Sequence, residues 1–150
     1  MNKPSDQLRQ ATDYSFDELK RNAGDVARLP IELQTVVRVI SATGVIGNGG
    51  LRYFFERGWQ GTPVYDEFVS AFRTIGAHDI ADSIQRIVQL FDFPDPHLDD
   101  ARRHERYCEL FDIDPLQVEF ALQDLVDILE KTDALLETYV ANHQTAFVKK

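Results

Sequence analysis

Gly47-Asn48-Gly49-Gly50-Leu51-Arg52-Tyr53-Phe54-Phe55 is the stretch on which the reading of this chain turns. A strongly apolar segment, Ile31 to Ile46, runs into it, and an aromatic cluster of Tyr53, Phe54, Phe55 and Trp59 follows. Three glycines and one asparagine fill the four positions between. Glycine reaches positive φ at little steric cost, and asparagine tolerates the left-handed region better than most residues. The preceding helix is therefore expected to stop here, the backbone to reverse, and a short second helix to begin at once. Asn48, Gly49 and Gly50 form the corner, and Phe54 and Phe55 pack against it. A glycine-rich loop before a helix also fits a phosphate cradle, but no lysine follows as in a P-loop and no strand precedes it.

Working outward, the spacings predict an all-α chain. Ser15 with Glu18 reads as a capping box for a short helix from Phe16 to Gly24, leaving residues 1–14 as a loose N-terminal arm or one short helical turn. Pro30 suits the first turn of the helix that leads to the corner. The β-branched run Val36, Val37, Val39 and Ile40 also fits a strand, and length decides for helix. After the corner, Gly58 is expected to stop the short helix, and Thr62-Pro63 reads as N-cap and first helical position. Val64, Phe68, Phe72 and Ile75 form one apolar stripe, ended by Gly76, and Ile80, Ile84, Ile87, Val88 and Phe91 form a second. Asp99 or Asp100 caps the next helix, which breaks at Asp112–Pro115. Leu116 to about His143 is a long helical tract with an interruption expected near Thr132-Asp133. The expectation is a single multi-helix domain spanning 1–150, with about seven helices and almost no strand signal.

The corner resembles the signature of a bacterial domain family of unknown function that includes DNA mimic protein 19. The likeness rests on Asn48-Gly49-Gly50, a large apolar residue, two positions, then paired aromatics. It continues through Ala71-Phe72-Arg73-Thr74-Ile75-Gly76-Ala77. It extends over Asp124 to Phe147, where Leu135-Leu136, Tyr139-Val140, Asn142-His143 and Phe147 look like the closing helix. From about Pro30 onward most of the chain is touched. The chain departs from the pattern at Val45, where the family usually has Glu, and at Leu51, Tyr53 and Arg57, where it favours Phe, Gln and Asn.

Charge supplies the rest. The 150 residues carry a net charge of −9 and a pI of about 4.8. Such a balance repels nucleic acid and anionic membrane surfaces and favours basic partners. The excess is concentrated: residues 92 to 137 hold fourteen Asp/Glu against Arg102, Arg103, Arg106 and Lys131, whereas the first 91 residues carry a net of −1. In the last tract Asp127, Glu130, Asp133 and Glu137 recur at spacings of three, three and four. They fall on one side of a helix, opposite Leu125, Ile128, Leu129, Leu135, Leu136 and Tyr139, and rise by roughly 4.5–6 Å from one acid to the next. That step is not far from the phosphate spacing along a DNA strand. A solvated outer face gives the same pattern.

The other chemistries are weaker. His104 and Cys108 stand four apart, but His78, His97 and His143 are scattered, so no metal ligand set is read. Cys108 lacks a nucleophile signature, and as the lone cysteine it excludes an internal disulfide. Arg102, Arg103 and Arg106 are explained by local pairing with neighbouring acids. No catalytic residue and no cofactor is read, and nothing argues for an enzyme. The polar start and the lack of a long apolar run predict neither signal peptide nor membrane span, hence a cytoplasmic protein. The leading expectation is a non-enzymatic, acidic protein-binding module. By resemblance it would occupy the basic DNA-binding surface of a regulator through Asp127, Glu130, Asp133 and Glu137. The alternatives are an immunity-type inhibitor of a basic toxin or nuclease, and a small-ligand binder or enzyme using a pocket near Asn48 and Tyr53. A second copy of the chain is a further partner to consider.

Overall fold

The computed structural model describes residues 3–149. Among them the regular elements are all helical: α1 (Asp6–Arg21), α2 (Ile31–Glu56), α3 (Tyr65–Ile75), α4 (His78–Leu90), α5 (Asp100–Ile113), the single turn α6 (Pro115–Val118) and α7 (Leu122–Asn142), with short 3-10 turns between. No helix is long and apolar enough to cross a membrane among the described residues.

Residues 6–14, expected as a loose arm, form the first half of α1. Ser5 caps it, its Oγ accepting from the Leu8 amide at 3.1 Å. Ser15 is therefore not a cap but an interior residue, and its hydroxyl donates to the Ala11 carbonyl at 2.7 Å. Thr62-Pro63 does not start a helix either. Thr62 takes positive φ, and α3 begins only at Tyr65, behind Val64. The two stripes are otherwise as read. Phe68, Phe72 and Ile75 are buried, as are Ile80, Ile84, Ile87 and Phe91, while Val64 is exposed. Gly76, with φ +87°, reverses the chain between them, and the Ala77 amide donates back to Phe72 at 2.8 Å.

The corner differs from its expectation in degree. Helical hydrogen bonding runs from Ile31 to Glu56, and only Gly49 and Gly50 leave helical dihedrals. The chain kinks rather than reverses. Gly44 and Gly47 stay inside the first limb. The β-branched run is helical because Val36 and Val39 are buried, and burial outweighs their modest propensity penalty. Gly50 has φ +71° and ψ −169°, a region that only glycine occupies readily. A Cβ there would also run into the Glu119 carboxylate, and one on Gly49 into the Tyr53 ring.

The break frees the first amides of the second limb, Leu51 to Glu56, and Glu119 takes them: its carboxylate accepts from Leu51 at 2.9 Å and from Arg52 at 3.1 Å. At the other end the buried Arg103 donates to the Phe55 carbonyl at 2.9 Å and to Pro96 at 2.8 Å. Arg103 thus does more than pair locally with Asp100, and Arg106 likewise reaches the Leu90 carbonyl at 3.0 Å. Tethered so, the limb drives Phe54 and Phe55 into the centre. Phe54 meets Phe68 edge-on at 5.0 Å, and Phe55 meets Phe91 at 5.3 Å. The last tract is interrupted at Glu119–Ala121, not near Thr132, which sits inside α7 with its hydroxyl on the Ile128 carbonyl.

Two glycine substitutions separate the kink from the helix around it. Gly50→Ala must hold positive φ and displace Glu119, and should lose about 1–3 kcal/mol. Gly44→Ala meets nothing within 4 Å and should gain roughly 0.5–1 kcal/mol. Urea unfolding of both proteins reads the difference. Equal stability would mean that the kink has no strict backbone requirement.

Candidate functional site

α7 buries Leu125, Leu136, Tyr139 and Val140, with Ile128, Leu129 and Leu135 half-buried beside them. Its acids are thereby turned outward, but not all in one direction. Asp127 sits on the outer face, where it accepts from the Gln123 amide at 3.1 Å. With Asp124 it borders a shallow groove against α4, whose wall is Asp79, Asp82 and Arg86. Glu130 and Asp133 turn the other way. They rim an apolar groove of about 570 Å³ between α7 and α2, floored by Gly44 and Gly47 and walled by Leu122, Val126 and Leu129. Glu137 is half-buried and accepts from the Ser5 amide at 2.8 Å, which fixes the start of α1. Six positions along a helix amount to about 120° of rotation, so Asp127 and Asp133 do not face one plane.

None of these four carboxylates pairs with a cation among the described residues. Other acids of the surface do: Asp82 with Arg73 at 2.8 Å, Asp79 with Lys131 at 3.7 Å, Glu109 with Arg106 at 3.0 Å. Partial burial, with Glu137 and Glu130 close by, pushes the Asp133 carboxyl above its ordinary range. Asp133 is thus repelled by both Glu130 and Glu137, while Asp127 stands apart on the other flank. Asp124 belongs to this surface and was missed in sequence. Its spacing of three from Asp127 was the available signal.

The corner residues play a different part. Gly50 and the Leu51 and Arg52 amides form an anion-binding geometry, and the chain's own Glu119 carboxylate fills it. Tyr107 holds that region from behind, its hydroxyl donating to the Val118 carbonyl at 2.9 Å. Burial and the nearby Glu119 push its phenol far above the usual range. Nothing in the sequence around Glu119 marks this role, since its partners lie 67 and 68 residues away. Asn48 is exposed on a ridge and borders a groove on either side of α2, whereas Tyr53 lines neither. The pocket expected at Asn48 and Tyr53 therefore does not include both. His104 and Cys108 are neighbours, Sγ to Nε2 3.8 Å, with Glu56 3.4 Å from the other ring nitrogen. Among the described residues no three His, Cys, Asp or Glu side chains gather as a metal site.

Comparison with known proteins adds one finding. A family model described as DMP19-like protein matches residues 27–143, which includes the corner, the two stripes and α7 to its end. No curated protein and no solved structure matches the chain.

The raised Asp133 carboxyl gives a signed pH dependence. The folded chain holds this proton more tightly than the unfolded one, so the contribution favours folding at acid pH. It turns unfavourable as pH rises through the carboxylate range. Asp133→Asn should therefore be slightly more stable than the parent at pH 7, by roughly 0.2–0.5 kcal/mol as for like-charge helix pairs, with the gain vanishing near pH 3. Urea midpoints at the two pH values test it. A variant destabilised at pH 7 would show that Asp133 is held by favourable contacts instead.

Proposed function

The chain belongs to the DMP19-like protein family, and we propose that it is an acidic binding module that occupies the basic, DNA-binding face of a protein partner. The observation that carries this reading is the group Asp127, Glu130, Asp133 and Glu137, joined by Asp124, which has no cation partner among the described residues although Asp79 and Asp82 across the groove from it are paired. A fold gains nothing from holding like charges together, and a solvated face would gain from interspersed lysines. Repulsion kept in place is the arrangement that a cationic partner relieves. The family resemblance to a DNA mimic supports the same direction. The two flanks of α7 let a partner straddle the helix, with Asp124 and Asp127 on one side and Glu130 and Asp133 on the other.

Recognition of this kind is electrostatic, so affinity should fall steeply between low and moderate salt. Duplex DNA should compete, because the same Lys and Arg side chains of the partner would serve both. Once a basic partner has been captured, the quadruple variant Asp127→Asn, Glu130→Gln, Asp133→Asn, Glu137→Gln should bind it about tenfold more weakly or worse, a loss of at least ~1.4 kcal/mol. Its fold should remain, as read by circular dichroism and thermal melting. Titration calorimetry across a salt series, with and without DNA, reads all three effects. Equal affinity of parent and variant would return the acids to a solvated face. Binding indifferent to DNA would favour an immunity-type inhibitor of a basic toxin or nuclease, or a small-ligand binder.

A further inference from the structure

A second groove lies on the opposite side of the Asn48 ridge, with a volume of about 370 Å³, inside the range of small-molecule sites. Its charge is the reverse of the protein's. Two guanidiniums, Arg38 and Arg57, line it, and none of the lining residues is an Asp or Glu. Both cations are held in place by aromatic rings: Arg38 lies 5.2 Å over Phe68, and Arg57 lies 5.1 Å over Trp59. Trp59 is itself fixed, its indole N–H donating to the Phe54 carbonyl at 3.1 Å. Arg38 is largely buried and leans on Glu67 from outside the lining. Arg57 has no carboxylate partner among the described residues, in a chain with 25 acids to offer one. Leu19, Val26, Val37, Ile40 and Val45 supply an apolar strip of wall, and Ser41, Asn48 and Gln60 add polar positions beside it. Gln60 closes one end against Gly24, where φ is +78° and a Cβ would stand 2.6 Å from the Gln60 amide nitrogen.

We propose that this groove binds a small amphiphilic organic anion, with its carboxylate or phosphate head on Arg57 and its apolar body along Leu19, Val37, Ile40 and Val45. A guanidinium stacked on a ring keeps its in-plane N–H fork open to a carboxylate or phosphate oxygen pair; Arg57 offers that fork with no carboxylate on it among the described residues, while Arg38 shares its own with Glu67. Stacking also removes much of the side-chain freedom that binding would otherwise have to freeze. The apolar strip discriminates against an inorganic anion, and the unpaired Arg57 guanidinium discriminates against a neutral molecule of the same shape. This site is independent of the acids on α7.

The single tryptophan of the chain stands in the groove, so its emission reports occupancy directly. The full chain is titrated with hexanoate, hexyl phosphate, hexanamide and inorganic phosphate at pH 7 and moderate salt, by fluorescence and by calorimetry. At least one of the two hexyl anions should saturate the signal, and which one does identifies the head group. Hexanamide and inorganic phosphate should each bind at least tenfold more weakly. Arg57→Gln, at an exposed position outside the core, should keep the circular dichroism spectrum and lose the anion at least tenfold by calorimetry. Failure of both hexyl anions to saturate would overturn the proposal. So would equal binding of hexanamide or inorganic phosphate, or unchanged anion affinity in a folded Arg57→Gln.

Discussion

The six residues from Leu51 to Glu56 are too short to be a stable helix by themselves. They hold their place because each end is closed by a charged side chain from the far part of the chain, Glu119 on the first amides and Arg103 on the Phe55 carbonyl. Hydrogen bonds to charged groups contribute on the order of 1.5–3 kcal/mol each, more than neutral ones. Phe54 and Phe55 sit on this limb, and through them Phe68, Phe91 and Tyr107 are ordered. Gly50 is the condition for the whole arrangement, since any side chain there would take the space that Glu119 needs.

The same carboxylate explains why a glycine-rich corner before a helix is not an anion site in this protein. The N-terminal amides are saturated internally, and the anion-accepting chemistry moves elsewhere, to the ring-stacked arginines across the Asn48 ridge. On the other side of that ridge the balance reverses, and Glu130 and Asp133 stand there with no cation partner among the described residues. One helix, α2, therefore separates a groove lined by guanidiniums from one rimmed by carboxylates, with Ile40, Gly44 and Asn48 shared along the ridge between them.

Much of the fold was legible because it rests on local periodicity. The stripes Phe68-Phe72-Ile75 and Ile80-Ile84-Ile87 and the stop at Gly76 need only spacing and a left-handed residue. Ser15 misled because Ser-x-x-Glu is a start signal only where no helix is already running, and Ser5 had started one. Thr62-Pro63 misled because the loop holds Thr62 at positive φ. Glu119 and Arg103 were illegible for a different reason: their work is at residues 48 to 68 positions away, and one sequence carries no trace of such distances. The acids of α7 were found by periodicity, but their division between two flanks follows from how α7 packs on α1, α2 and α3.

The tether between the corner and Glu119 also orders events in time. A chain emerging from the ribosome completes Gly49-Gly50 and both apolar stripes before residue 119 appears. Until then Leu51 and Arg52 have only water for their amides, and the aromatic limb stays unanchored. Non-local closures of this kind come late, since loop entropy is spent before the contact rewards it. The corner is thus a latch that the last third of the chain closes, so apolar surface on the nascent N-terminal part stays uncovered through most of synthesis.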